Sequence, residues 1–278
     1  MSGQLAAGRL RLQGAQRAIG ALARSVAVAA LAGFAAGLVA GGIGSRIAMR
    51  VVAITAGSAE QGAITDAEAT VGEITGGGTI FLLILGGAIG GFGGLAYLGL
   101  RRWVADAGRW RGLAFGVLLV AMFGWGIIEG DNPDFDRFGS PALNIVMFAS
   151  LFVIFGLLVA PVFEWTERRL PPRFVGGGGL TSLAAHGLGL LIALPILGGL
   201  INGFGEEGDR RLFFTILPAY VLLVPPITAR FLGAAAGRFE RLSDLSEHRP
   251  ALGAAVAVLA LPVAVGLVLD VQAIRDIF

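Results

Sequence analysis

Apolar and polar positions fall in long blocks along this chain rather than in the short alternation of a soluble globule. Seven stretches contain no Asp, Glu or Arg: residues 25 to 44, 79 to 100, 112 to 128, 142 to 163, 180 to 201, 212 to 229 and 251 to 269. The shortest has 17 residues and the others 18 to 22, which at about 1.5 Å rise per residue matches the roughly 30 Å hydrocarbon core of a bilayer. The pattern predicts an all-α membrane protein, a bundle of seven transmembrane helices.

The polar blocks between the runs orient the bundle. Clusters before the first run and after the second, fourth and sixth hold 15 Arg and 6 acids, whereas the opposite loops hold 6 Arg and 13 acids. By the positive-inside rule the N-terminus is cytoplasmic, and the C-terminus, residues 270 to 278, lies outside. A secretory signal is the alternative reading of the first 44 residues, but the 24 residues before the apolar run are long for one, so an uncleaved first helix is expected. Trp103, Trp110, Trp125 and Trp165 fall beside the ends of runs, as interfacial belt residues do. The expected location is a cytoplasmic membrane of bacterial type, crossed several times.

Small residues then suggest how helices meet. Ala29, Gly33, Gly37 and Gly41 recur at i+4 in the first run, and Gly86, Gly90 and Gly94 in the second, with Gly87 and Gly91 one position over. Such stripes let backbones approach closely in lipid, where apolar burial supplies no drive. A tight hairpin of the first two spans is expected; the same seams would also suit a second copy of the chain or a partner subunit. Pro195, Pro218, Pro225, Pro226 and Pro262 punctuate the last three runs and predict kinks. The chain therefore divides into a basic N-terminal segment (1–24), a Gly-rich membrane half of four helices (25–170), a Pro/Gly linker (171–179) and a Pro-kinked half of three helices (180–278). The linker's glycines, 176 to 179, precede Thr181 and Ser182 but lack the Lys of a phosphate loop.

Composition narrows the chemistry. All 21 basic residues are Arg, so no Lys is present for a retinal or other Schiff base, and the absence of Cys removes disulfides, thiolates and iron–sulfur ligation. The sequence pI is about 9.9, yet the net charge is only +2 and its sign alternates between loops, so nucleic-acid binding is not implied. His186 is the one titratable side chain of its kind within a run, one turn past Ser182, where it could meet Glu164. A proton relay would use such a pair; a lone His bonded to a carbonyl is the plainer role. No paired His suits haem, no HExxH suits zinc, no Asp lies within a run, and neither Ser140 nor Ser150 is placed to form a nucleophile with His186. No enzyme and no cofactor are expected.

Candidate binding residues lie outside the runs. Arg46 and Arg50 follow the first run on the face where positive charge is scarce, at i, i+4 on a helix whose other side presents Ile47, Val51 and Ile54. Either the first span runs on or a short amphipathic helix lies at the interface. The two guanidinium groups suit a lipid phosphate, an anionic solute or nearby loop carboxylates. The first outer loop, 57 to 78, carries Glu60, Asp66, Glu68 and Glu73, with a capping-box spacing at Thr65 and Glu68, and is long enough to be a structured cover. The second concentrates Glu129, Asp131, Asp134 and Asp136 around an Asn132-Pro133 turn, an oxygen-rich cluster without EF-hand spacing. The third holds Glu206, Glu207 and Asp209 beside Arg210 and Arg211. No metal site is specified. Two functions fit: a non-enzymatic bundle or accessory subunit with an extracytoplasmic binding surface, or a permease or channel for a small neutral or anionic solute.

Overall fold

The computed structural model describes residues 2–57, 60, 62–65, 70–126, 128, 134–170, 184, 187–189, 191 and 249–278, with the side chains of 2–19, 136, 249–259, 261 and 262 excepted. The linker 171–179, His186, Glu129, Asp131, most of the fifth apolar run and the whole sixth run with its prolines lie outside the described residues.

The described chain is almost wholly helical: α1 (Ser2–Gly37), a π-helical segment (Leu38–Ile43), α2 (Gly44–Thr55), α3 (Gly76–Val104), α4 (Arg111–Phe123), the one-turn α5 (Asp134–Arg137), α6 (Pro141–Arg169) and α7 (Arg249–Ile277). A lone antiparallel bridge pairs Ile64 with Thr70. Among the described residues, three helical stretches are long and apolar enough to cross a membrane: Gly20–Thr55, Gly76–Gly126 and Pro141–Arg169. The middle one doubles back on itself. Its reversal is at Gly108, whose φ of 55° favours glycine, after which Phe92 meets Phe123 and Tyr97 meets Phe115 across the turn.

Of the two expectations for the first span, the structure shows the continuous helix. From α1 it passes through the π segment, where the Gly44 N–H reaches back five residues to the Val39 carbonyl, and on through α2. Ser45 donates its hydroxyl to the Gly42 carbonyl at 3.0 Å and also to that of Gly41, tying down the segment.

The glycine stripes of the first two spans face each other within the chain. A Cβ on Gly37 would stand 2.6 Å from the Gly90 Cα, and one on Gly41 2.8 Å from the Gly86 Cα; Gly33 meets Gly90 and Gly94 in the same way. The α1–α3 hairpin is thus a backbone-to-backbone contact. A second seam joins α4 to α6, where a Cβ on Gly116 would lie 2.7 Å from the Val153 Cα. Around these seams an aromatic core forms: Tyr97 packs edge-on against Phe115 and Phe163 at centroid distances of 5.0 and 5.5 Å. From Gly266 against Met122 to Asp270 against Gly124, α7 runs in the same direction as α4.

The two ends are built differently. At one, Arg101 pairs with Glu167 at 3.1 Å, Arg111 pairs with Glu164, and Arg24 donates to the Leu170 carbonyl at 2.8 and 3.0 Å, satisfying the end of α6. At the other, residues 60, 62–65 and 70–75 form a cap with α5, pinned where Val71 and Phe138 pack against Ala53 and where Arg137 meets Glu60 at 3.5 Å.

Replacement of Gly37 or Gly90 by Ala should destabilise the protein by about 1–3 kcal/mol through over-packing. Gly77, with nothing within 4 Å of its Cβ position, should accept Ala without that loss. Thermal unfolding of the purified variants in one detergent checks both.

Candidate functional site

The cap end holds a cavity of about 260 Å³, lined on one side by Arg46, Met49, Arg50 and Ala53 and on the others by residues of the cap and of α6. Its shape follows from three local structures. The helix continuing past the π segment carries Arg46 and Arg50 one turn apart to the cavity wall. Gly62 donates to the Val71 carbonyl at 3.1 Å and Val71 to the Ala63 carbonyl at 2.9 Å, folding the loop over the helix. Gly72, at φ 89°, then turns its carbonyl toward Arg50, which donates from Nη1 at 3.2 Å.

The third element is the start of α3. Thr75 caps it, accepting from the Gly78 N–H at 3.2 Å, and the first turn is Gly76, Gly77 and Gly78. A Cβ on Gly78 would stand 2.5 Å from Nη2 of Arg46, so the guanidinium lies directly against this turn. Two positive features thereby adjoin, because the N-terminus of a helix carries partial positive charge and unpaired N–H groups. Arg46 makes no hydrogen bond or ion pair with a described residue, and its Nε is buried without a partner. Pairing of Arg46 and Arg50 with the loop carboxylates is therefore not seen among the described residues, although Glu73 and Asp134 line the same cavity.

Asn144 closes the floor from α6. It is only 2% exposed, and its Nδ2 donates to the Phe138 carbonyl at 2.7 Å and the Phe135 carbonyl at 3.2 Å. Those two bonds fix the amide's orientation. Its Oδ1 is left buried with no donor.

The remaining sequence candidates are dispersed. Glu164 pairs with Arg111 at the far end, while His186, its expected neighbour, lies outside the described residues. Of the acidic quartet, Asp134 lines the cavity, Asp136 is described only as backbone of α5, and Glu129 and Asp131 are outside. No three His, Asp or Glu side chains converge as a metal site among the described residues. Gly33, Gly37, Gly41, Gly86, Gly90 and Gly94 serve the helix seam.

Asn144, Gly78 and Asp270 were not singled out by sequence. Asp270, one residue beyond the apolar run 251–269, is 8% exposed, and a Cβ on Gly124 would sit 2.7 Å from its Oδ1. Helical spacing could have found it, since Gly266, Asp270, Ala273 and Ile277 share one buried face. Burial raises its pKa from 3.8 to about 6, against an opposing hydrogen bond from the Trp125 backbone.

The carboxyl of Asp270 binds its proton more tightly in the folded than in the unfolded chain. The contribution of Asp270 to stability should therefore be fully present below the unfolded value of 3.8, fall as the pH rises through about 6, and level off above it. In unfolding measurements across that range, Asp270→Asn should remove the decline and be the more stable form at pH 7. Comparison with known protein families, curated proteins and solved structures finds no match, so the cap cavity itself carries the functional reading.

Proposed function

We propose that this chain is a non-enzymatic, multi-pass bundle of a bacterial-type cytoplasmic membrane, with seven spans, a cytoplasmic N-terminus and an extracytoplasmic cap that binds a ligand or partner subunit. The observation that carries the binding role is Arg46: a residue of the lining of a cavity of about 260 Å³, with its Nη2 against Gly78 at the start of α3 and its Nε buried without a partner. A charge held in this way is costly unless something neutralises it.

The topology has separate support. Arg24, Arg101, Arg111 and Arg168 collect at the end opposite the cap, as the loop charge count requires. The described helices also alternate in direction, with α7 running alongside α4, which accords with an external C-terminus. A permease would need a path at mid-membrane; the cavity at the cap end favours a surface role.

The test is affinity purification of the wild type and of the Arg46→Gln/Arg50→Gln double variant from native membranes, with identification of co-purifying chains, lipids and small molecules. The variant should elute and melt like the wild type and lose a molecule that the wild type retains. Loss of folded protein would assign the two arginines a structural pairing role instead.

A further inference from the structure

The chemistry facing the cap cavity is more selective than a patch of positive charge. Among the described residues, the guanidinium groups of Arg46 and Arg50 and the carboxylates of Glu73 and Asp134 line the same cavity. A lining of both signs suits a zwitterion better than a simple anion. On the cationic side, Arg46 has a buried Nε without a partner. On the other side, the buried Oδ1 of Asn144 accepts from no group, and its amide cannot turn over without losing the bonds to the Phe135 and Phe138 carbonyls. The ligand that satisfies both sides carries an anion and, close by, a charged hydrogen-bond donor.

Size and surroundings select its source. At about 260 Å³ the cavity falls below the roughly 300–1,000 Å³ of sites for drug-sized ligands, a size for a headgroup rather than a whole lipid. Ile74 lines it and is itself exposed, and α2 exposes Ile47 and Ile54 while α3 exposes Ile80, Phe81 and Ile84. Acyl chains thus have exposed apolar side chains on both helices to lie against while the head enters the cavity.

Building on the binding role proposed above, we infer that the cavity seats the headgroup of a phosphatidylethanolamine-type lipid, its phosphodiester on Arg46 and Arg50 and its primary ammonium toward Asn144 and Glu73. Phosphatidylcholine shares the phosphate and the positive charge but has no N–H to donate. Phosphatidylglycerol shares the phosphate and has donors, but no positive charge.

The full-length protein is reconstituted in nanodiscs containing equal parts of the three lipids, and the lipid retained after detergent extraction is read by native mass spectrometry. Phosphatidylethanolamine should be retained over phosphatidylcholine by about 10-fold or more, the effect of one charge-assisted hydrogen bond. Arg46→Gln and Arg50→Gln should lower retention of all three lipids, whereas Glu73→Gln should lower only the preference for phosphatidylethanolamine over phosphatidylglycerol. Arg50 and Glu73 are exposed, so these two variants keep the test open if Arg46→Gln fails to fold. Equal retention of phosphatidylcholine, a preference for phosphatidylglycerol, or unchanged lipid retention in both arginine variants would overturn the inference. Soluble glycerophosphoethanolamine should raise the melting temperature in detergent less than the lipid does; an equal rise would overturn the lipid as occupant. If lipid selectivity is absent but a different molecule still co-purifies in an arginine-dependent way, the headgroup assignment falls and the binding role stands. If the arginines affect neither, both fall.

Discussion

The arrangement depends on the direct contact of two backbones. Where Gly33, Gly37 and Gly41 of the first helix meet Gly86, Gly90 and Gly94 of α3, no side chain intervenes. In a lipid solvent, helices gain nothing by hiding apolar surface from one another, so association rests on dispersion between closely packed atoms and on polar contacts. Glycine gives the shortest approach available. The same contact also fixes where everything beyond it lies, because α2 emerges from one side of the seam and α3 begins on the other. Arg46 lies against Gly78 because the two helices are already clasped some turns below.

From that seam the ends of the molecule diverge in electrostatic character. At the arginine-rich end, Arg101 and Arg111 have carboxylate partners on α6 and Arg24 closes the α6 carbonyls. These pairs are partly exposed, so each adds little stability, and their effect is mainly on the alignment of helix ends. At the cap the balance is inverted. Carboxylates and guanidinium groups share one cavity, yet Arg46 is unpaired among the described residues and the Asn144 carbonyl oxygen has no donor. A buried polar group without a partner costs free energy comparable to a lost hydrogen bond.

How much of this could be read from the residues depends on whether the signal is local. The helices α3, α6 and α7 cover the second, fourth and seventh apolar runs, α1 covers the first together with the π segment and the start of α2, and α4 covers most of the third, because hydrophobic length is a property of consecutive residues. The α1–α3 seam was legible because glycines at i+4 must fall on one helix face. Arg46 and Arg50 stood out as positive charges on an acidic side, although their freedom from the loop carboxylates was not visible. Gly78 could not be distinguished from Gly76 and Gly77 because its role is set by an arginine thirty-two positions earlier. Asn144 reads as one polar residue in an apolar run until the Phe135 and Phe138 carbonyls are brought over it. Asp270 was assigned to an external tail, whereas the face it shares with Ala273 and Ile277 turns it inward.

The π segment between α1 and α2 lets the long first helix hold one residue more than its geometry needs. Its five-residue hydrogen-bond step accommodates one more residue than an α-helical turn would in the same rise and rotation. Removing a single residue between positions 38 and 43 would therefore let the segment close into an α-helix with α2 at nearly the same height and phase. Arg46 and Arg50 would keep their place at the cavity wall, and the disturbance would fall on the contact of Gly41 and Gly42 with Gly86. The segment thus acts as slack in the chain, which can lose a residue at the seam without turning the helix that leaves it.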